Sequence, residues 1–593
     1  MQISKKTAGF SVIEVMIAAA VFIIFASGSV AVVLQGFDFN RTGAEMTIAN
    51  QYASEGIEAI RSLKNQSFGN LTSTFCVTGT GLNQVGGLWV LTGSGTSDVF
   101  QKYTRVIKIC DTQRDGSGNI VNSGGQVDTS TKKVTTTVSW NLTPTRTNSI
   151  VLTTYLTNWR PPGGILVYGD GSITSDAIKY KTLDNLGNWS IAALTADVDT
   201  GTTNKALRIV RLYASSTSNE KIAISRHYDG SNQYIYTQVF NGTTWGSVQL
   251  LSSWSANSYL DVQNFDGAYL ANGTFMTVFS DNTSIPKMRT WNGTAWSAQT
   301  SLTDLTGTQV PAYIVVKARP RTNEVMANFF TKQSNTISEY WNGSSWSGLT
   351  VHATAAPDAV SRLIDFAWSP NNALIGELIF LNTAGDKGIH ARIWTANGSG
   401  SGSWSVVADS STDKKNVGAV AVAGKFGSNE FSSCYRNPTT TKISCFTTDF
   451  TPTFTDPNNQ NITTSLPNSI SRSFDITYAV LAGTPGLIVY SDNTTVPKYK
   501  KYTPGTATWD AATSSITTTG SPGVFQTVRL IPQQESNDSL ALMVDANKVL
   551  YSIFWDGTNQ AMYTSPLSKA FFQHGTNGSN SLDFWYDFAW DKF

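Results

Sequence analysis

A membrane-spanning helix leading into a small α+β unit, followed by a large all-β ring, is the fold class that three features of this 593-residue chain predict. An apolar run from Phe10 to about Leu34 carries a single acid, Glu14. Strand-like stretches then dominate up to residue 159, and beyond the breaker cluster Pro161-Pro-Gly-Gly164 an aromatic hairpin signature recurs about every 50 residues. The 42 Lys and Arg against 41 Asp and Glu leave a formal charge of +1, without the basic patch that a nucleic-acid partner requires. Abundant Thr, Ser, Asn, Gly, Trp and Tyr favour strands and turns over helix.

The N-terminal stretch reads Met1-Gln-Ile-Ser-Lys-Lys-Thr-Ala-Gly9, then Phe10-Ser-Val-Ile-Glu14-Val-Met-Ile. The apolar run gives about 25 residues, or roughly 37 Å of helix, enough to cross a bilayer. Lys5 and Lys6 hold its start on the cytoplasmic side. A carboxylate inside such a helix costs about 2.5 to 3.5 kcal/mol, so Glu14 needs a partner. A signal peptide fits less well, because the run is too long for its apolar region and no small-residue cleavage site follows.

The arrangement closely resembles the type IV pilins, and the likeness implies several roles. The leader, residues 1–9, would be cut between Gly9 and Phe10 by a prepilin peptidase, and Phe10 would be N-methylated. Glu14 would be the family's assembly acid, pairing with the ammonium of Phe10 within a turn or in an adjoining subunit. Other pilins would be the partners. The chain would span the cytoplasmic membrane once before assembly and lie in a cell-surface pilus afterwards.

The spine helix is expected over 10–64. Its second half is amphipathic, with Met46, Ala49, Tyr52, Ala53, Gly56, Ile57, Ile60 and Leu63 on one face and Arg41, Glu45, Glu55, Glu58 and Arg61 between them. A β-sheet head follows over 65–160, with strands at Leu88–Leu91, Tyr103–Cys110, Lys133–Trp140 and Ile150–Trp159. Glu55-Gly-Ile-Glu58, Tyr103-Thr-Arg-Val and Lys132-Lys-Val-Thr-Thr-Thr-Val-Ser-Trp140 resemble minor pilins of the pilus-modification type over about the first 160 residues. Asp111-Thr-Gln-Arg-Asp115-Gly lacks the closing acid of a calcium loop and is read as a hairpin turn. Cys76 and Cys110 are candidates for stapling the loop after the helix to the sheet, and Cys434 and Cys445 for a cross-strand bridge; the export route permits disulfides.

Residues 161–164 form the linker and 165–593 the ring. Phe240-Asn-Gly-Thr-Thr-Trp245, Trp291-Asn-Gly-Thr-Ala-Trp296 and Trp341-Asn-Gly-Ser-Ser-Trp346 each place an Asn-Gly hairpin between aromatics. Each unit is a meander of about four strands that must stack radially, as in a β-propeller of about eight blades, with seven as the alternative. The first unit lacks an initial strand, while Asp587-Phe-Ala-Trp590 near the C-terminus repeats Asp365-Phe-Ala-Trp368, so the last strand is expected to complete the first blade.

The Trp-Asn-Gly repeats resemble those of propeller lectins, including fucose-binding ones, and more loosely the Asp boxes of sialidases. The likeness makes Trp245, Trp291, Trp296, Trp341 and Trp346 candidates for stacking on an external glycan, against the plainer reading that they wedge neighbouring blades. Arg208, Arg211, Arg319, Arg321, Arg362, Arg472 and Arg529 lie on or near presumptive first strands, as ion pairs or a polar channel lining. His227, His352, His390 and His574 show no ligand spacing, and no nucleophile elbow or phosphate loop is present. No catalytic residue, metal ligand or cofactor is therefore assigned. The function expected is a minor pilin at the tip of a type IV-like pilus, displaying a propeller that adheres to a glycan, protein or surface. A surface-tethered glycosidase and a pseudopilin of a type II-like secretion system are the alternatives.

Overall fold

The computed structural model describes residues 11–592 apart from 67–69, 86–87, 116–118, 158–162, 170–176, 185–188, 196–204, 256–258, 355–361, 371–373, 382–388, 398–399, 410–417, 426–429, 438–440, 449–459, 468–471, 479–485, 504–507, 519–520, 534–537, 556–570 and 577–584. Gly9 and Phe10 therefore lie outside the described residues. The chain divides into two compact units, Met1–Trp159 and Arg160–Phe593.

In the first unit a single helix, α1, runs over Val12–Gln66. Its start is a reciprocal cap: the Ser11 N–H donates to Glu14 Oε2 at 2.9 Å, and the Glu14 N–H to Ser11 Oγ at 3.3 Å. The apolar half is long enough to span a membrane and has none of its most apolar window buried. From Glu45 onward the helix buries Ala49, Ala53, Ile57, Ile60 and Leu63 against an antiparallel sheet. The sheet order is Asp98–Phe100, Tyr103–Arg114, Gln126–Thr143, Arg146–Thr157. A short helix, α2 (Phe75–Thr78), is tied to the second of these strands by the disulfide Cys76–Cys110. The Asp111 stretch is indeed a hairpin, in which Ile120–Val121 pairs back onto Gln113 and Arg114.

Two helix positions depart from expectation. Met46 is 45% exposed, whereas Glu45 is buried. The cause is Trp140, whose indole N–H needs an acceptor inside the interface and donates to Glu45 Oε2 at 2.9 Å. Arg41 at 3.0 Å and Lys102 at 2.5 Å complete the pairing of that carboxylate. Nearby, Arg105 is 2% exposed, ion-pairs with Asp98 at 2.7 Å and lies over the Tyr52 ring. Gly56 admits it: a Cβ there would come within 3.0 Å of both the Arg105 and Thr136 side chains.

The second unit consists, among the described residues, of eight antiparallel sheets. Seven follow the chain as simple meanders, opened by Ala206–Ala214, Phe265–Tyr269, Pro311–Ala318, Ile364–Trp368, Ala419–Gly424, Phe474–Tyr478 and Phe525–Pro532. The remaining one, the first in the chain, is opened by the last strand: Tyr586–Trp590 pairs with Gly164–Tyr168 from Tyr586↔Tyr168 to Trp590↔Gly164. The C-terminus thus completes the first sheet, as the repeated Asp-Phe-Ala-Trp implied. The opening strands pack in succession, and the eighth meets the first through Thr527···Tyr586 at 2.7 Å and Trp590 Nε1 donating to the Ile531 carbonyl at 3.1 Å.

The hairpins expected at Asn-Gly form. Trp291 and Trp296 bridge each other across a four-residue loop. Only the glycine is left-handed, at φ +100, +95 and +101° for Gly242, Gly293 and Gly343. Each asparagine instead accepts two backbone N–H groups, as Asn292 Oδ1 does from Thr294 and Ala295 at 3.0 and 2.9 Å. Cys434 and Cys445 sit directly opposite, Cα atoms 4.1 Å apart, and are bonded.

Two outcomes follow from this architecture. Deleting residues 586–593 should leave the Gly164–Tyr168 edge unpaired, and the truncated chain should lose its cooperative thermal transition and aggregate, as read by calorimetry and size-exclusion chromatography. Glu377 is 0% exposed and accepts from the Thr448 hydroxyl at 2.7 Å; burial pushes its pKa up to about 7 from 4.5. A carboxyl raised in the folded state stabilises fully below its unfolded value, and that contribution fades as pH climbs through about 7. Glu377→Gln should therefore raise the melting temperature at pH 8, by the equivalent of up to about 3 kcal/mol, and change little at pH 4.5. Thermal denaturation of both proteins across that range is the check.

Candidate functional site: the central channel

The opening strands are held together by aspartates on alternate sheets. Phe265-Asp-Gly-Ala-Tyr269, Ile364-Asp-Phe-Ala-Trp368, Phe474-Asp-Ile-Thr-Tyr478 and Tyr586-Asp-Phe-Ala-Trp590 occupy equivalent strands of the third, fifth, seventh and first sheets. In each, one carboxylate oxygen accepts a backbone N–H from the next opening strand. Asp266 takes Val316 at 2.8 Å, Asp365 takes Val422 at 3.2 Å, Asp475 takes Leu530 at 2.9 Å and Asp587 takes Leu212 at 2.9 Å. A charged acceptor suits a buried amide that the strand ladder leaves unmatched. The second oxygen is also engaged: by the Tyr213 hydroxyl at 2.6 Å for Asp266, and by the following residue's N–H for Asp365, Asp475 and Asp587.

Basic side chains gather around these aspartates. Gln263, Arg362 and Arg472 each stand three residues ahead of an aspartate, and their carbonyls accept from Ile314, Val420 and Val528 at 3.0, 3.2 and 3.0 Å. Arg362 Nη2 donates to Asp365 at 2.7 Å, Arg472 pairs with Asp475, and Arg529 Nε lies 3.0 Å from Asp587. Arg211, 3% exposed, donates to Gln263 Oε1 at 2.8 Å and to the carbonyls of Val210 and Tyr586. Lys317 follows Val316 on the fourth sheet and is exposed to the interior space.

Two cavities of about 480 and 270 Å³ lie here, and Arg211, Lys317, Arg362 and Arg529 line both. Burial brings the Arg211 pKa down to about 9, with Arg529 adding repulsion and Asp587 opposing it. Burial likewise lowers Arg472, against the pull of Asp475. At Arg362 burial also works against the charge, but Asp365, Asp475 and Asp266 outweigh it and its pKa ends above the usual guanidinium value. The channel is thus a cavity lined by these cations together with the pinning aspartates.

The arginines singled out from the sequence divide accordingly. Arg208 pairs with Asp261 at 2.7 Å and Arg319 with Glu324 at 2.6 Å, away from the cavities. Arg321 is a left-handed turn residue, φ +61°. Lys317 and the pinning role of Asp266 and Asp475 lie beyond the sequence reading; the shared pattern of an apolar residue, Asp, any residue, a small residue and an aromatic carries the signal, and the two Asp-Phe-Ala-Trp copies show only half of it.

The candidate tryptophans are not brought together. Trp291 and Trp296 pack at 5.6 Å across their hairpin, and Trp341 and Trp346 at 5.5 Å. Three also reach the preceding sheet: Trp245 meets Tyr180 at 5.8 Å, Trp291 Nε1 donates to Glu220 at 3.0 Å, and Trp346 Nε1 points at Met288. They wedge neighbouring sheets and remain only partly covered. Of the histidines, His227 and His352 lie 2.9 Å from the hydroxyls of Ser225 and Ser338. Burial lowers them to about 4 and about 3. Both hydroxyls are buried, and the other nitrogen of His352 faces Arg392 rather than a carboxylate. His390 is buried, and the His574 side chain lies outside the described residues.

Removing a pin should be costly. Asp365→Ala would strand Arg362 and the Val422 amide, and the denaturant midpoint should fall by the equivalent of about 3 to 5 kcal/mol. Equilibrium urea unfolding measures it.

No protein-family model matches the chain, and no curated protein sequence matches it. Solved structures similar to it include the six-bladed fucose-recognising lectin of Aleuria aurantia, at 11% identity over 52% of this chain and 95% of that one, with a TM-score of 0.28. A prolyl endopeptidase matches at 11% identity over 65% of this chain and 50% of that one, TM-score 0.35. The periplasmic gluconolactonase of Pseudomonas aeruginosa matches at 9% identity over 60% and 96%, TM-score 0.34.

Proposed function

We propose that this chain is a minor pilin that carries an eight-bladed β-propeller as a binding module at the tip of a type IV-like filament. The observation that carries the reading is the division of α1: its first half is apolar, unburied and long enough to cross a membrane, while its second half packs on an antiparallel sheet. A helix so built needs a greasy partner along half its length, first lipid and then neighbouring helices. The Gly9-Phe10 junction and Glu14 support cleavage and docking at its start. A propeller of more than 400 residues does not repeat along a shaft of closely packed helices, whereas one copy fits at an end. The half-covered tryptophan hairpins offer apolar faces to an external ligand such as a glycan.

Gly9→Val should leave the leader attached, read as a higher apparent mass. Glu14→Val should insert and be processed normally but enter sheared filaments at a tenth or less of the native amount, roughly the 1.4 kcal/mol or more expected of a lost buried charge contact. Full incorporation of Glu14→Val would defeat the docking role. Label confined to the envelope in immunogold microscopy would favour a secretion pseudopilin. On a glycan array the fragment 163–593 should be retained, and turnover of chromogenic glycosides without retention would replace the adhesin by a hydrolase.

A further inference from the structure

We propose that the central channel of the second unit binds a small organic polyanion, a molecule bearing two or more carboxylate or phosphate groups. The inference is independent of how the chain is anchored, since it concerns only the interior of the sheets.

Five basic side chains, Arg211, Lys317, Arg362, Arg472 and Arg529, come from five different sheets and line the 270 Å³ cavity; all but Arg472 also line the 480 Å³ cavity. The aspartates beside them are already committed. Asp266, Asp365, Asp475 and Asp587 each hold a backbone amide of the next strand, and a second donor occupies the other oxygen. Pinning the strands explains those four carboxylates; it does not explain five cations. Asp266 takes a tyrosine hydroxyl rather than a guanidinium, and the Lys317 ammonium makes no hydrogen bond or ion pair among the described residues, although its charge reaches Asp365. Arg362 Nε is buried without an acceptor. Arg211 donates to the neutral oxygens of Gln263, Val210 and Tyr586, with Arg529 repelling it and Asp587 opposing that repulsion. Five cations against four carboxylates leave the space with a net positive charge, which favours the entry of an anion into a low-dielectric interior.

The shape of the surplus selects the ligand class. The cations stand around a ring, so one small monovalent ion satisfies only a part of it, while an anion with several oxyanion groups reaches opposite walls at once. Guanidinium forks match carboxylate and phosphate oxygens bidentately, and Lys317 adds a mobile point charge. The cavity volumes suit a molecule of citrate or sugar-acid size and exclude a polymer threaded through folded sheets.

The test is isothermal titration of the full-length chain, held in a neutral detergent, with citrate, inorganic pyrophosphate and acetate. Citrate or pyrophosphate should bind at least about tenfold more tightly than acetate, and the tighter of the two names the oxyanion. Lys317→Gln should weaken that binding by about tenfold with the melting temperature unchanged, Arg529→Gln by more, and Arg208→Gln not at all. Should Arg529→Gln unfold, Lys317→Gln alone still decides. Absence of binding by both polyanions, acetate binding as tightly, or affinity unaltered in Lys317→Gln would each overturn the proposal. None of these outcomes depends on filament assembly, so it can fail while the pilin reading stands, and the reverse.

Discussion

Everything in the second unit depends on the antiparallel pairing of Tyr586–Trp590 with Gly164–Tyr168. Seven sheets are each made from one contiguous stretch, so their strand order costs only short loops. The first sheet joins residues more than 400 positions apart, and the loop-closure entropy falls on this one contact. Its sequence is built for that load. Trp585, Tyr586, Phe588 and Trp590 are buried, Phe588 and Trp590 meet edge-to-face at 4.9 Å, and Lys221 of the second sheet pairs with Asp591 just beyond the strand. The pairing also covers the Gly164–Tyr168 edge, which would otherwise stand open.

Closure alone does not set the spacing of the sheets, and the aspartates do. A backbone amide facing a neighbouring strand at the centre of the ring has no ladder partner, and a carboxylate from every second sheet supplies one. The structural unit is therefore a pair of sheets rather than a single one: the aspartate-bearing sheet grips its successor, and four such pairs account for the eight described sheets. Hydrophobic wedging by Trp245, Trp291 and Trp346 then fills the outer gaps between sheets.

The sequence exposed those features that are local. Strand alternation, Asn-Gly loops and the Cys434/Cys445 spacing each encode contacts within about a dozen residues, and the structure contains them. The repeated Asp587-Phe-Ala-Trp590 revealed the closing strand because the strand is a copy of its counterparts. What stayed hidden depends on three-dimensional juxtaposition. Glu45 looked solvent-facing until Trp140, 95 positions away, supplied a donor. The division of arginines between ion pairs and channel depends on whether an acid such as Asp261 or Glu324 lies across the strand, which a linear reading of seven similar positions cannot rank. The Asn-Gly letters mark the hairpins, but the asparagine side chain accepting two backbone N–H groups shows only in three dimensions.

The start of α1 bears on how an acid can be carried into a membrane at all. Glu14 lies at the third position of the helix and accepts the Ser11 N–H, while Ser11 Oγ takes the Glu14 N–H. Of the amides at the helix start, the Ser11 N–H is thus satisfied by the Glu14 carboxylate and the Glu14 N–H by the Ser11 hydroxyl, and the helix dipole favours the carboxylate's charge. The acid therefore has a partner while the leader is still attached. Under the proposed cleavage the chain would begin one residue before Ser11, placing a new ammonium within a turn of that carboxylate. The cap and the ammonium would then compete for the same two oxygens, so the strength of the Ser11 contact would set how freely Glu14 can turn to a neighbouring subunit. Under that proposal, an acid already capped would enter the membrane at lower cost and would be released only where a stronger positive charge is offered.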